Sequence, residues 1–143
     1  MADTLSKSHR SALMARVKSA GNTTTELRLI HMMRDAGIHG WLRGQKLTGH
    51  PDFVFCKKRL AVFVDGCFWH GCPRCYRRPK SRRKYWDAKI AGNILRDRRN
   101  RAHLRRDGWQ VVRIWEHELV TSPANCVRKI QRKLSDHYAA TSM

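Results

Sequence analysis

The chain has 143 residues, enough for one domain with a single hydrophobic core and too few for a second. Hydrophobic residues make up 41% of it and five residues are tryptophan, which excludes a disordered basic tail. Thirty Lys and Arg against 11 Asp and Glu give a formal net charge of +19, so a polyanion is the expected partner, although charge alone does not separate DNA from RNA.

The sequence predicts a cytoplasmic protein with no membrane partner. It has no run of 18 apolar residues, and its first ten residues, MADTLSKSHR, lack the apolar centre of a signal peptide. If the polyanion is chromosomal DNA, the protein is expected to associate with the nucleoid. Residues 1–143 are interpreted as a single domain because no linker or internal repeat interrupts them.

The N-terminal residues 1–21 are predicted to form a basic helical arm. Basic residues there accompany a short apolar stripe at helical spacing, formed by Leu13, Met14 and Val17. The segment from Thr23 to Glu26 then matches a capping box, in which a threonine and a glutamate satisfy the first N–H groups of a helix. A helix is predicted from this box to Gly37.

The middle of the chain changes to short apolar runs separated by turn signals. The runs WLRGQ, PDFVF and LAVFVDG are predicted to be strands of one sheet, the last two joined by a hairpin at Lys57 and Lys58. A long helix from about Lys84 to Asp107, a strand WQVVRIW and a last helix from Ser122 and Pro123 follow. This order predicts an α/β fold, with a mixed sheet flanked by helices.

Three of the five cysteines crowd into a short loop, which favours metal ligation over disulfides. Cys67, Cys72 and Cys75 supply three thiolates, and a tetrahedral zinc ion needs a fourth ligand. His117 is favoured because it follows a predicted strand, with His70 and Cys126 as the alternatives. Such a closed site is structural, and the competing interpretation is a set of free thiols.

Two predicted strands place acidic residues near the same sheet edge. Asp52 opens the strand PDFVF, and the next strand ends at Val64 and Asp65. Many nucleases hold Mg²⁺ on the scissile phosphate with a carboxylate and a second acidic or carbonyl ligand from adjacent strands. These residues alone are a weak signal, because an Asp that follows Pro is commonly a turn residue.

The string VDGCFWHGC, from Val64 to Cys72, resembles the Vsr family of very short patch repair endonucleases. The resemblance continues through Pro51-Asp52, through Trp86 and Asn93 to Arg96-Asp97, and through Gly108-Trp109 to Trp115-Glu116. It implies a restriction-endonuclease-like fold and an enzyme that nicks double-stranded DNA 5′ to the thymine of a T·G mismatch, the product of 5-methylcytosine deamination.

The resemblance also implies roles for individual residues. Asp52 would be the central Mg²⁺ ligand, joined by a main-chain carbonyl near Val64, and His70 would handle protons at the attacking water. Glu26 and Asp97 would orient water and metal-bound solvent. Each has a simpler alternative, since Glu26 could only cap its helix and Asp97 could only pair with Arg96 or Arg101 on a helix surface.

Aromatic residues complete the picture that the resemblance implies. An aromatic wedge would unstack the mismatch, and the arm would enter the minor groove; the residues concerned are Phe68, Trp69 and Trp86 for the wedge and Met14 and Val17 for the arm. The three wedge residues could instead be core aromatics, the role predicted for Trp41, Trp109 and Trp115. We expect a monomer, with a mismatch-repair protein of the MutL kind as a further partner.

Two other functions compete with mismatch nicking. One is a related DNA nickase that serves a restriction or phage-defence locus and has a different target. The other is a zinc-stabilised DNA-binding module without catalysis, which would be expected to have lost the acidic set that this chain retains.

Overall fold

A computed structural model describes residues 22–142 of the chain, and the side chains of residues 25–135. The predicted arm of residues 1–21, with Met14 and Val17, lies outside the described residues. Four helices and three strands follow in chain order: α1 (Asn22–Asp35), β1 (Phe53–Phe55), β2 (Leu60–Asp65), α2 (Arg83–Arg106), β3 (Gln110–Trp115), α3 (Glu116–Thr121) and α4 (Pro123–Ser142).

The three strands form a mixed sheet in the order β1-β2-β3. β1 runs antiparallel to β2, and a 3-10 turn at Cys56–Lys58 joins them at the predicted hairpin. β2 runs parallel to β3, with Phe63 opposite Arg113 and Asp65 opposite Trp115. Because side chains alternate along a strand, these four residues lie on the same face of the sheet.

Each face of the sheet has its own hydrophobic layer. On one face, β2 and β3 pack against α1 and α4 through residues that are almost fully buried, among them Leu29, Met33, Val62, Ile114 and Ile130. On the other face, a smaller layer joins Ala61 and Val111 to Leu104 near the end of α2. Helices on both faces of a mixed sheet confirm the predicted α/β architecture.

The structure corrects several predicted elements. The run WLRGQ is not a strand: only Leu42 pairs, in a single bridge to Val54. Residues Asn22 to Glu26 already lie within α1, so Thr23 does not precede the helix as a cap residue. α3 was not predicted, because its six residues are too few to show a helical period. Trp115 belongs to neither hydrophobic layer and instead lies under the guanidinium of Arg113.

Within residues 22–142, no helix combines the length and the apolar character that a membrane crossing requires. The long helix α2, for example, carries nine arginines and lysines among its 24 residues, RKYWDAKIAGNILRDRRNRAHLRR.

Candidate active site and metal centre

Asp52 lies just before β1, with its carboxylate against the neighbouring strand. The backbone N–H of Val64 donates a 2.7 Å hydrogen bond to Asp52 Oδ2. Burial, with a hydrogen bond to Glu26, raises the pKa of Asp52 to about 8, although the Val64 N–H acts in the opposite direction. A buried carboxyl group with a second carboxyl group beside it is suited to binding a cation, which would displace the proton.

Glu26 reaches this position from α1 and forms an ion pair with Arg43, whose Nη2 lies 2.5 Å from Glu26 Oε2. Because α1 already begins at Asn22, the predicted capping box from Thr23 to Glu26 does not mark the helix start, and the Glu26 side chain lies beside Asp52. Arg43 also lies 5.9 Å from the ring centroid of Phe53, at the start of β1.

His70 lies between two carboxylates. Its Nδ1 is 2.6 Å from Asp97 Oδ2, and its Nε2 is 3.6 Å from Asp65 Oδ1. Asp97 therefore does more than face Arg96 and Arg101, because its carboxylate bonds His70. Burial raises the pKa of Asp97, but the hydrogen bond with His70 and nearby cationic groups outweigh it, so that the net shift lowers the pKa. Because an ionised carboxylate can only accept, Asp97 orients His70 with its Nδ1–H donated and its Nε2 on the side of Asp65.

Arg113 joins this group from β3, a residue that sequence reasoning missed. Its Nε donates to Asp65 Oδ2 at 2.6 Å, and its Nη2 lies 3.6 Å from Asp97 Oδ2. The guanidinium carbon lies 4.0 Å from the ring centroid of Trp115. The Asp65, His70 and Asp97 side chains each bring a ligand atom to within 4.8 Å of the other two, which is the spacing of a group that could hold a cation.

The loop after β2 carries His70, and hydrogen bonds fix it at two points before this residue. At its start, the N–H of Cys67 donates to Glu116 Oε1 at 3.0 Å. Buried Asn93 on α2 donates from Nδ2 to the carbonyl of Trp69 at 2.9 Å. Gly71 has a φ of +61°, and a Cβ there would lie 2.6 Å from Ile94 Cδ1, so the turn after His70 requires glycine.

The same loop brings three cysteines to His117 at the start of α3. Ligand atoms of Cys67, Cys72, Cys75 and His117 all lie within 4.8 Å of one another. His117 Nδ1 is 3.3 Å from Cys67 Sγ and 3.6 Å from Cys72 Sγ. Around a tetrahedral zinc ion with bonds of about 2.0–2.3 Å, sulfur and nitrogen ligands lie about 3.5 Å apart, so this cluster could hold zinc.

The electrostatics of the thiols also fit a cation. Burial raises the pKa of Cys67 to about 12, with the nearby Cys72 sulfur adding to the shift. Such a thiol becomes a thiolate only when a cation stabilises it. Among the alternatives for the fourth ligand, His70 is bonded to Asp97, and buried Cys126 packs in the hydrophobic layer beneath the sheet.

Three half-buried aromatic rings form one cluster beside the loop. The ring centroids of Phe68 and Trp69 are 5.3 Å apart, those of Phe68 and Trp86 are 5.3 Å apart, and those of Trp69 and Trp86 are 5.8 Å apart. The rings meet mostly edge to face, and exposed Tyr85 extends the cluster at 5.1 Å from Trp86. The predicted wedge residues thus lie together outside both hydrophobic layers, although their contact with DNA stays a prediction.

A cleft of about 510 Å³ opens on the other side of Asp52. Its walls include Asp52 and Glu26 together with the basic side chains Arg43, Lys46 and His50. Sequence reasoning singled out none of these three basic residues, because they lie in an irregular segment without periodicity. Cations on one side of a buried carboxylate suit a phosphate backbone that passes over it.

Comparison with known proteins shows the family of the chain. The family model described as DNA mismatch endonuclease Vsr matches residues 2–77. The chain belongs to the Vsr DNA mismatch endonuclease family. It is 43% identical to the type II nicking enzyme V.XorIIP of Xanthomonas oryzae over 83% of this chain and 88% of that one, and 35% identical to the DNA mismatch endonuclease Vsr of Escherichia coli over 95% and 81%.

The solved structures support the fold of this Vsr-family endonuclease. The catalytic domain of the homing endonuclease I-Bth0305I matches with a TM-score of 0.56 and 20% sequence identity, over 79% of this chain and 95% of that domain. At this level of identity the match shows an endonuclease fold and nothing finer. The family membership confirms a DNA endonuclease, so the alternative of a DNA-binding module without catalysis is wrong.

Proposed function

We propose that this Vsr-family enzyme nicks double-stranded DNA 5′ to the thymine of a T·G mismatch. The observation that supports the proposal most is that two positioned groups follow from the same pair of strands: half-buried Asp52, held by the Val64 N–H, and His70, held by Asp97. Phosphodiester hydrolysis needs a group that activates water and a cation at the phosphate, and these two positions are suited to them.

The chain's own residues have distinct tasks in this reaction. Asp52, with the main-chain carbonyl of Val64, would hold Mg²⁺, which when bound supplies charge stabilisation at the scissile phosphate. His70 removes a proton from the attacking water through Nε2, because Asp97 accepts the hydrogen bond from its Nδ1–H. Glu26 beside Asp52 orients water at the same centre.

The second metal in the proposal is a structural zinc ion held by the cluster of Cys67, Cys72, Cys75 and His117. Its thiolate and imidazole ligands suit a borderline-soft ion, whereas the carboxylates at Asp52 suit a hard one. The cluster anchors the loop that carries His70 to the beginning of α3. Zinc would therefore support the active site without taking part in the reaction.

Recognition is proposed to come from aromatic and basic surfaces. Phe68, Trp69 and Trp86 would enter beside the mismatched pair, which costs less to unstack than a matched one. The basic surface, which includes the cleft residues Arg43, Lys46 and His50, would bind the phosphate backbones. Met14 and Val17 of the arm would enter the minor groove. We further propose that the enzyme acts as a monomer on nucleoid DNA and that a MutL-type protein stimulates it.

Cleavage of end-labelled duplexes tests the proposal. Otherwise identical duplexes with a T·G, a T·A or a C·G pair are incubated with Mg²⁺ and with EDTA, and both strands are followed. We expect one nick, 5′ to the thymine of the T·G duplex, in Mg²⁺ only. Equal cleavage of the T·A duplex, or cleavage in EDTA, would contradict the proposal.

The names of several relatives favour a second target. Proteins named type II nicking enzymes occur in Xanthomonas oryzae and in Neisseria meningitidis serogroup C, the latter 37% identical over 94% of this chain. A nickase that serves a restriction locus would require a particular sequence around its site. Duplexes with the T·G pair in varied flanking sequences separate the two targets: a nick in one context only indicates the second.

A further inference from the structure

Four charged or titratable side chains form a closed ring behind the proposed cleavage site. Arg113 contacts Asp65, Asp65 faces His70, His70 bonds Asp97, and Asp97 faces Arg113 again. The ring unites two adjacent parallel strands, a loop and α2, so it closes only in the folded chain. The role proposed above for His70 uses Asp97 alone and leaves Asp65 and Arg113 without a task.

The sheet register explains why Arg113 reaches both carboxylates. Arg113 lies opposite Phe63 and diagonal to Asp65 on the same face of the parallel pair β2 and β3. That face is turned toward α2, which carries Asp97. The ring of Trp115 holds the guanidinium by cation–π stacking at 4.0 Å, while Asp65 fixes it through the 2.6 Å bond to Nε.

Three side chains of this ring have the ligand types and the spacing of a cation site. Two carboxylates and an imidazole lie within 4.8 Å of one another, a set that binds Mn²⁺ and similar divalent ions in proteins. Asp65 and Asp97 have side chains that are only 8% and 13% exposed, so their mutual repulsion is poorly screened by water. A positive charge between them offsets that repulsion.

We propose that Arg113 is this positive charge: a built-in guanidinium that takes the place of a second divalent cation between Asp65 and Asp97 and so positions His70. Arg113 is a positioning residue, since it acts on His70 through the two carboxylates. The inference rests on the proposed function only for its effect on cleavage. Its effect on cation binding stands apart from that function.

Counting bound Mn²⁺ on the zinc-loaded protein tests the proposal directly. Electron paramagnetic resonance of free Mn²⁺ gives the number of bound ions for wild type, Arg113→Met and Arg113→Lys. We expect Arg113→Met to bind one Mn²⁺ more than wild type, because removal of the guanidinium opens the three-ligand site. Arg113→Lys keeps a positive charge and is expected to bind the wild-type number. No added ion in Arg113→Met would overturn the proposal.

Arg101→Met is the matched control, because Arg101 lines a small cavity together with Asp65 and Asp97 and its loss removes the same charge. It is expected to bind the wild-type number of Mn²⁺ ions. An extra ion in Arg101→Met would mean that net charge, rather than the guanidinium of Arg113, excludes the cation, and the proposal would fail.

Single-turnover cleavage of a T·G duplex tests the positioning role. Arg113→Met is expected to slow the nick by about 10–100-fold, the usual effect of losing a partner that orients a functional side chain, while duplex affinity changes little. Arg113→Lys should recover part of the rate. An unchanged rate in Arg113→Met would refute the positioning role, whereas failure of wild type to nick would instead refute the proposed function.

Discussion

At the scale of single residues, the sequence pointed to His70 and Asp52 but not to Arg113. The motif around His70 carried the family resemblance that proposes both residues, because the Pro-Asp start of a strand is a weak signal for Asp52 by itself. Arg113 on β3 could not be predicted, because its partners are distant in the sequence. Asp65 lies 48 residues away on β2, and Asp97 lies on α2. Only the parallel register of β2 and β3 brings these charges together, and single-sequence patterns do not contain that register.

Asp52→Asn should abolish Mg²⁺-dependent nicking and stabilise the metal-free protein at alkaline pH. The raised pKa of about 8 means that folding resists ionisation of Asp52, so wild type loses stability as pH rises from about 3.8 to about 8. The free energy of unfolding of wild type falls by on the order of 2–5 kcal/mol over this range. Asp52→Asn cannot ionise and therefore keeps its stability. Melting curves at pH 5 and 8.5 measure the effect. Equal curves for both proteins at pH 8.5 would contradict it.

His70→Ala should slow cleavage by about 10²–10⁴-fold, the usual contribution of a general base, and should leave the zinc content unchanged. The imidazole bonds Asp97 at 2.6 Å and is not one of the four groups around the thiols. Elemental analysis and single-turnover rates measure the two effects. His103→Ala, at an exposed histidine paired with Asp107, is the control. Loss of zinc from His70→Ala would place His70 in the cysteine cluster.

At the scale of elements, helices and strands with a clear hydrophobic period were predicted, and the short helix α3 was not. The long helix α2 was predicted to within one residue at each end, and the hairpin between β1 and β2 was placed correctly. The short helix α3 was missed, although its Glu116 and His117 fix the loop that carries His70. α3 acts through contacts with residues that are distant in the sequence. Six residues are too few to show a periodic pattern that would predict it.

Glu118→Gln should lower stability by about 0.5–1 kcal/mol near neutral pH, with a smaller effect in acid. Glu118 accepts from the Trp115 N–H at 3.0 Å and from Lys129 of α4 at 2.7 Å. Burial raises its pKa, but these two bonds outweigh burial and lower it. The stabilisation is thus present above the ordinary pKa of 4.5 and disappears as pH falls through the lower folded value. Urea unfolding at pH 7 and 3 measures it; equal losses at both would contradict it.

Cys72→Ser and His117→Ala should each reduce bound zinc and lower the melting temperature, because metal binding contributes to folding. One equivalent of zinc is expected to copurify with wild type, while Mg²⁺ is lost on dialysis. Cys56→Ser is the control, since this cysteine is exposed and far from the cluster in the hairpin turn. Full zinc content in His117→Ala would assign the fourth ligand elsewhere, and a stable wild type without zinc would remove the structural zinc site.

At the scale of the whole molecule, basic residues far outnumber the few carboxylates of the site. The net charge is +19, and basic side chains also surround those carboxylates: Arg43 and Lys46 line the cleft at Asp52, and Arg113 contacts Asp65. The sequence predicted both the polyanion and the α/β class from composition and pattern. It could not predict which basic residues line the cleft, because Arg43, Lys46 and His50 lie in irregular backbone.

The large positive charge predicts that salt weakens binding without changing its selectivity. Contacts between basic residues and phosphates release counterions, so duplex affinity should fall by about 10³-fold between 50 and 200 mM salt if about six phosphates are bound. Preference for T·G over T·A depends on aromatic contacts and the low cost of unstacking a mismatch, which salt barely affects. Fluorescence anisotropy with catalytically inactive Asp52→Asn measures both constants. A T·G preference that falls together with affinity would mean that the basic surface, rather than the aromatic cluster, recognises the mismatch.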